Sequence, residues 1–225
     1  MIRLLRISLF LACFPIFLTA QENDFGNWYI YFGNKQLSDR WNWHHEVQYR
    51  NYNFIGDLEQ LLLRTGIGYN LSENNHNILL GYGFIRSENY EFGSVDEKMV
   101  VNEHRIYQQF ISRQKVGPVG LQHRYRFEQR FVEDNFRIRF RYFLGINIPL
   151  TKKVMGEDTF YLSAYNEVFL NGQKAVFDRN RLYGGLGYAF SKNFRVELGA
   201  MSQIFESRNR AQFQIVVFNN LPRKG

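Results

Sequence analysis

The chain has 225 residues and a formal charge of +7. Beyond residue 20 no apolar run approaches the roughly 18 residues of a membrane-spanning helix, which excludes a helical membrane protein. Aromatic residues make up 17% of the chain, with 22 Phe and 14 Tyr against 4 Pro. That composition favours strands, because aromatic rings suit a pleated, half-buried surface.

Met1–Ala20 reads as a secretory signal, with Arg3 and Arg6 as the charged start, Leu9–Leu18 as the apolar centre and Thr19-Ala20 as the small-residue cleavage site. The single cysteine, Cys13, falls inside it. The processed chain is thereby expected to have no disulfide, thiolate metal site or cysteine nucleophile. Residues 21–225 are expected to form one domain.

That domain reads as a succession of strands. Asn27–Asn34 has Trp28, Ile30 and Phe32 on one face. Trp41–Tyr52 places Trp41, Trp43, His45, Val47 and Tyr49 opposite Asn42, His44, Glu46, Gln48 and Arg50. Leu58–Leu71 sets Leu61, Leu63, Thr65, Ile67, Tyr69 and Leu71 opposite Gln60, Arg64, Gly66, Gly68 and Asn70, and the fourth strand runs through Ile78–Phe84. Tyr90–Val100 reads as the longest loop. Val101–Lys115 alternates weakly. Leu121–Phe131 is clear, with Gln122, Arg124, Arg126, Glu128 and Arg130 on its polar face.

Phe136–Leu150 states the pattern most plainly: Phe136, Ile138, Phe140, Tyr142, Leu144, Ile146 and Ile148 alternate with Arg137, Arg139 and Arg141 and three smaller or aromatic positions. Side chains alternate across a strand, so this segment has one greasy and one cationic face. Strands over Thr159–Asn171 (Tyr165 and Glu167 inward), Arg179–Phe190, Phe194–Ile204 and Asn209–Asn220 complete the chain. The paired glycines Gly66/Gly68 and Gly185/Gly187 precede turns without a following helix. They are read as relief of crowding between large inward side chains, not as a phosphate cradle.

About eleven segments of roughly 10–14 residues exceed the 5–6 of soluble strands and match the 9–11 that cross a bilayer at a tilt. The connections near 72–76, 116–120 and 191–193 are short and those near 89–100 and 172–178 longer, in the manner of periplasmic turns and external loops. Trp41, Trp43, Tyr69, Phe160, Tyr188, Phe190 and Phe194 crowd the short-turn ends as an aromatic girdle would. The expected fold class is all-β: an antiparallel transmembrane β-barrel of about 10–12 strands, of outer-membrane type.

The segments Asp24–Lys35 (DFGNWYIYFGNK), Trp41–Leu71 and His123–Phe131 (HRYRFEQRF) resemble an outer-membrane family catalogued as domain of unknown function 2490, found among Gram-negative bacteria. The resemblance spans nearly the whole processed chain. It implies an outer-membrane barrel and carries no activity, cofactor or catalytic residue.

The chemistry is concentrated in the inward cations Arg64, Arg124, Arg126, Arg130, Arg137, Arg139 and Arg141, with Arg50, Arg181 and Arg195 as additions, and in the inward anions Glu46, Glu128, Glu167 and Glu197. Two uses are open: a basic lumen that passes or holds a small anionic solute, or a filled interior in which arginines and glutamates pair because buried charge has to be paired. The expected function is therefore a structural barrel or a narrow anion-preferring pore.

An outer-membrane lipid hydrolase or deacylase is the alternative enzyme reading, with His104 or His44 as base. Ser112 lies about 27 Å from His104 at strand rise and cannot serve it, while Ser94 and Ser207 sit in loops. A soluble periplasmic lipid-binding β-barrel is the alternative at the level of fold. The five histidines are scattered, so no metal or other cofactor is expected. The expected partners are membrane lipid and the outer-membrane barrel-assembly machinery, with no nucleic acid, because the arginines alternate with apolar residues and form no basic run.

Overall fold

The computed structural model describes residues 25–72, 75–91, 93–94 and 96–223. The leader expected over Met1–Ala20, with Cys13, lies outside them. The chain forms eleven strands: β1 (Phe25–Gln36), β2 (Trp41–Asn51), β3 (Leu58–Asn70), β4 (His76–Tyr90), β5 (Lys98–Val116), β6 (Val119–Val132), β7 (Asn135–Pro149), β8 (Thr159–Asn171), β9 (Phe177–Ala189), β10 (Phe194–Ile204) and β11 (Asn209–Leu221).

Each strand pairs with its sequence neighbours in antiparallel register, and β1 pairs with β11 to close a barrel. The closing pair is parallel, from Phe25 opposite Ala211 to Lys35 opposite Leu221. The barrel is thus mixed and not wholly antiparallel. An odd number of up-and-down strands leaves the first and last pointing the same way, so one parallel ladder is unavoidable. Asn27–Asn34, which alternates over only a short run, is a full strand because both its edges are paired.

The connections depart from the expected alternation of lengths. The longest, 150–158, lies at the same end as the two-residue turn 117–118, whereas the other end holds the two-residue turn 133–134. That second turn places Glu133 at φ 46°, the left-handed backbone that tight hairpins require. The loop expected over Tyr90–Val100 is cut to 91–97 by pairing: β4 and β5 stay in register out to Tyr90 opposite Lys98.

The two sides of the wall differ in chemistry. Outward side chains at 41–49, 61–69, 78–84, 104–110, 121–131, 136–148, 160–170, 180–188, 194–204 and 211–217 include no Asp, Glu, Lys or Arg. Leu80 is 60% exposed and Leu198 50%. All seven expected girdle aromatics point outward at one end, in two groups. Trp41 packs edge-on against Tyr69, with Trp43 beside them, and Phe160, Tyr188, Phe190 and Phe194 meet in sequence, tilted or edge-on.

Inside, β1 reverses the rule: Trp28, Ile30 and Phe32 point inward and join Tyr183, Met201 and Val216 in an apolar cluster. Large inward tyrosines lie over glycines of the facing strand. Tyr107 sits across from Gly81 and Tyr161 across from Gly187, and in each case a Cβ on the glycine would collide with the ring. A methyl group there forces the tyrosine off its rotamer. Gly81→Ala is expected to lower stability by about 1–3 kcal/mol. Gly184→Ala, whose Cβ meets nothing within 4 Å, is expected to stay within about 0.5 kcal/mol of the parent. Urea unfolding midpoints of the two variants check this, and equal midpoints would refute the packing account.

Candidate functional site

The charged interior is built by strand register. Arg139 on β7 stands directly opposite Glu128 on β6, Arg64 on β3 opposite Glu46 on β2, and Arg181 on β9 opposite Glu167 on β8. Opposite charges facing across a ladder stabilise the pairing. Other facing pairs are alike: Arg126 opposite Arg141, and Arg105 opposite Arg130. These are tolerated because a carboxylate from a neighbouring level reaches between them.

Glu128, with no exposed surface, is the centre. Its Oε2 accepts from Arg139 Nη2 at 2.6 Å and Nε at 2.9 Å, and its Oε1 accepts from Arg141 Nη1 at 2.7 Å. Arg126 and Arg105 approach it at 3.7 and 4.0 Å. Arg141 then turns its other edge to Glu167, whose Oε1 accepts from Nη2 at 2.7 Å and Nε at 3.1 Å. The same oxygen accepts from Arg124 at 2.7 Å. Arg141 is therefore a bridge between two buried carboxylates. Fork-shaped contacts of this kind suit a guanidinium and not an ammonium.

Further pairs extend the network toward both mouths. Glu103 accepts from both Arg105 and Arg130, and Glu46 accepts from Arg64 and Gln48. Asp178 accepts from Arg139 and Arg179, each at 3.2 Å, while Glu197 accepts from the Tyr161 hydroxyl at 2.9 Å and lies 3.9 Å from Arg195.

Arginines outnumber carboxylates here, and the surplus is met by amide oxygens and ring faces. Arg126 donates to Gln109 at 2.6 Å, Arg50 to Gln60 at 2.7 Å and Arg181 to Gln203 at 3.0 Å. Arg50 and Arg181 both approach the Trp28 ring, at 3.6 and 4.9 Å. Arg141 lies 4.4 Å from the Phe169 ring and Arg126 4.5 Å from that of Tyr107. Cation–π contacts strengthen when desolvated, and here they tie the ionic half of the interior to the aromatic half.

Of the residues singled out in the sequence, Arg64, Arg124, Arg126, Arg130, Arg139, Arg141, Glu46, Glu128, Glu167 and Glu197 all reach this network. Arg137 does not. It is exposed at the mouth, beside the 133–134 turn. Sequence reasoning missed Glu103, Arg105, Tyr107 and Gln109, which share the inward face of β5. The same strand turns His104 and Gln108 outward, which blurs the contrast between its faces. It also missed Glu59 and Asp178, which lie beside irregularities in the β2–β3 and β8–β9 ladders, where a count of two fails.

His104 Nδ1 lies 2.6 Å from the Tyr82 hydroxyl on the outer face, and His44 Nε2 lies 3.5 Å from Glu46 inside. Among the described residues no three His, Cys, Asp or Glu converge as a metal site.

Every inward carboxylate described above is already paired. Removing one partner of a buried pair leaves an uncompensated charge, at a cost of about 3–5 kcal/mol. Glu128→Gln, which keeps shape and removes charge, is expected to lower stability by that order. Glu88→Gln, at the rim beside Arg86, is expected to change it by less than about 1 kcal/mol. Denaturant titration of both variants decides it, and similar losses would refute the central role of Glu128.

The model of the family described as "Protein of unknown function (DUF2490)" matches residues 25–214, and the chain belongs to that family. No curated protein and no solved structure matches it.

Proposed function

We propose that this member of the family is an integral β-barrel of an outer membrane, closed inside by its arginine–carboxylate network, and that it acts as a non-conducting structural barrel instead of an open pore. The observation that carries the reading is the inversion of burial. Glu128 has no exposed surface and Arg139 only 4%, whereas Phe140, between Arg139 and Arg141, is 51% exposed.

In water an apolar wall of this extent is an aggregation surface. In lipid it is the stable arrangement, because all backbone groups of the wall are paired within a closed ring. Strands of 11 to 19 residues suit that role. The plug reading follows from the same burial. Inward-facing Tyr107, Tyr161, Phe169, Gln212 and Gln214, spread along the interior, are all at most 1% exposed, so side chains occupy the path that an ion would have to cross.

This reading includes a cleaved leader at Met1–Ala20 and insertion by the barrel-assembly machinery.

Refolded chain 21–225 mixed with lipid vesicles is expected to float with them and to stay with them through a carbonate wash. In a planar bilayer it is expected to give no steady current. A steady anion-selective current, weakened by Arg139→Glu or Arg141→Glu, would replace the brace with a pore. Release by carbonate without detergent would sink the membrane reading itself.

A further inference from the structure

The outer wall is not evenly convex. A trough of about 910 Å³ crosses it, walled almost wholly by apolar groups. Strand register explains its course. Ile78, Phe110, Tyr125 and Tyr142 stand in one ladder row across β4 to β7, and Leu80, Gln108, Phe127 and Phe140 stand in the next. The floor between the rows is the chain at Leu79, Gln109, Arg126 and Arg141, whose side chains point inward.

The trough opens at Trp41, the first residue of β2, and ends at Leu170, one short of the end of β8. It therefore runs obliquely from one mouth of the barrel to the other. Six inter-strand steps make its path around the wall roughly 29 Å.

A cation stands at the Trp41 end. Arg40 is exposed, donates to the Tyr69 hydroxyl at 2.9 Å, and lies 5.9 Å from the Tyr69 ring that lines the trough. The neighbouring carboxylate, Asp39, lies 3.6 Å from Arg223, and among the described residues no carboxylate reaches Arg40. One guanidinium edge is used by a neutral hydroxyl, and its other donors are open to solvent.

We propose that this trough binds one anionic phospholipid, its acyl chain lying between the two rows and its phosphate on Arg40. The site rests on the reading that the outer wall faces lipid. An apolar channel alone would take any hydrocarbon. The guanidinium at its mouth adds a preference for a headgroup of net negative charge, with no cation beside the phosphate, and a guanidinium's planar fork matches phosphate oxygens.

The test uses indole fluorescence quenched by phospholipids with brominated chains. In full-length barrel carrying Trp43→Phe, Trp41 is the only outward indole. A second barrel carries Trp41→Phe, Trp43→Phe and Leu198→Trp, and reports ordinary boundary lipid on the opposite wall. Trp41 is expected to select brominated phosphatidic acid over brominated phosphatidylcholine by about fivefold. Position 198 is expected to show a ratio near one, and adding Arg40→Gln to the first barrel is expected to return its ratio to one.

Equal ratios at positions 41 and 198 would overturn the site in favour of ordinary boundary lipid. Unquenched Trp41 with quenched position 198, in a particle that sediments as a dimer, would overturn it in favour of a second copy of the chain. Absence of quenching at both positions would overturn it together with the membrane reading on which it rests.

Discussion

A carboxylate shut away from water has to be surrounded by cations, and much of this barrel is arranged to do that for Glu128. Its two oxygens take donors from Arg139 and Arg141, and Arg141 passes the same service on to Glu167. Because those groups sit on β6, β7 and β8, satisfying them fixes the register of three strands at once. A slip by one residue would turn Arg137, Arg139 and Arg141 outward and Phe136 and Phe140 inward. The ionic network and the apolar exterior are thus two outcomes of one register.

The interior is not uniform. On the side of β1 and β9–β11, Trp28, Ile30, Tyr183, Met201 and Val216 make a small apolar core of ordinary kind. Trp28 joins the halves, since it packs in that core and also receives Arg50 and Arg181 on its ring. A barrel filled by charge alone would need each guanidinium matched to a carboxylate. Ring faces and glutamine oxygens relax that requirement and let arginine exceed glutamate, although the Nε donors of Arg64, Arg124, Arg179 and Arg195 stay buried without a partner.

The sequence was most legible where alternation is strict. In β7 every second residue from Arg137 to Arg141 declares its side, and the same holds in β2, β3 and β6. What alternation cannot express is height along the wall: Arg137 has the parity of Arg139 and Arg141 but stands at the mouth, where no partner is needed. It also fails where both faces are polar, as in β5, and at ladder irregularities, as beside Glu59 and Asp178. The parallel seam was illegible for another reason. It depends on the parity of the whole strand count, which no local segment records. Most of the network was visible residue by residue, but its pairings were not, because they depend on which strands become neighbours and at what level.

The parallel seam has a consequence for topology. Phe25 opens β1 at one mouth and Leu221 closes β11 at the other. A barrel with an even count returns its chain to the side from which it set out. This one does not, so under the membrane reading proposed above the start of β1 and the end of β11 face different aqueous compartments. The ring cannot seal until the last strand is made, because the partner of the first strand is the final one. Until then both edges carry unpaired backbone groups.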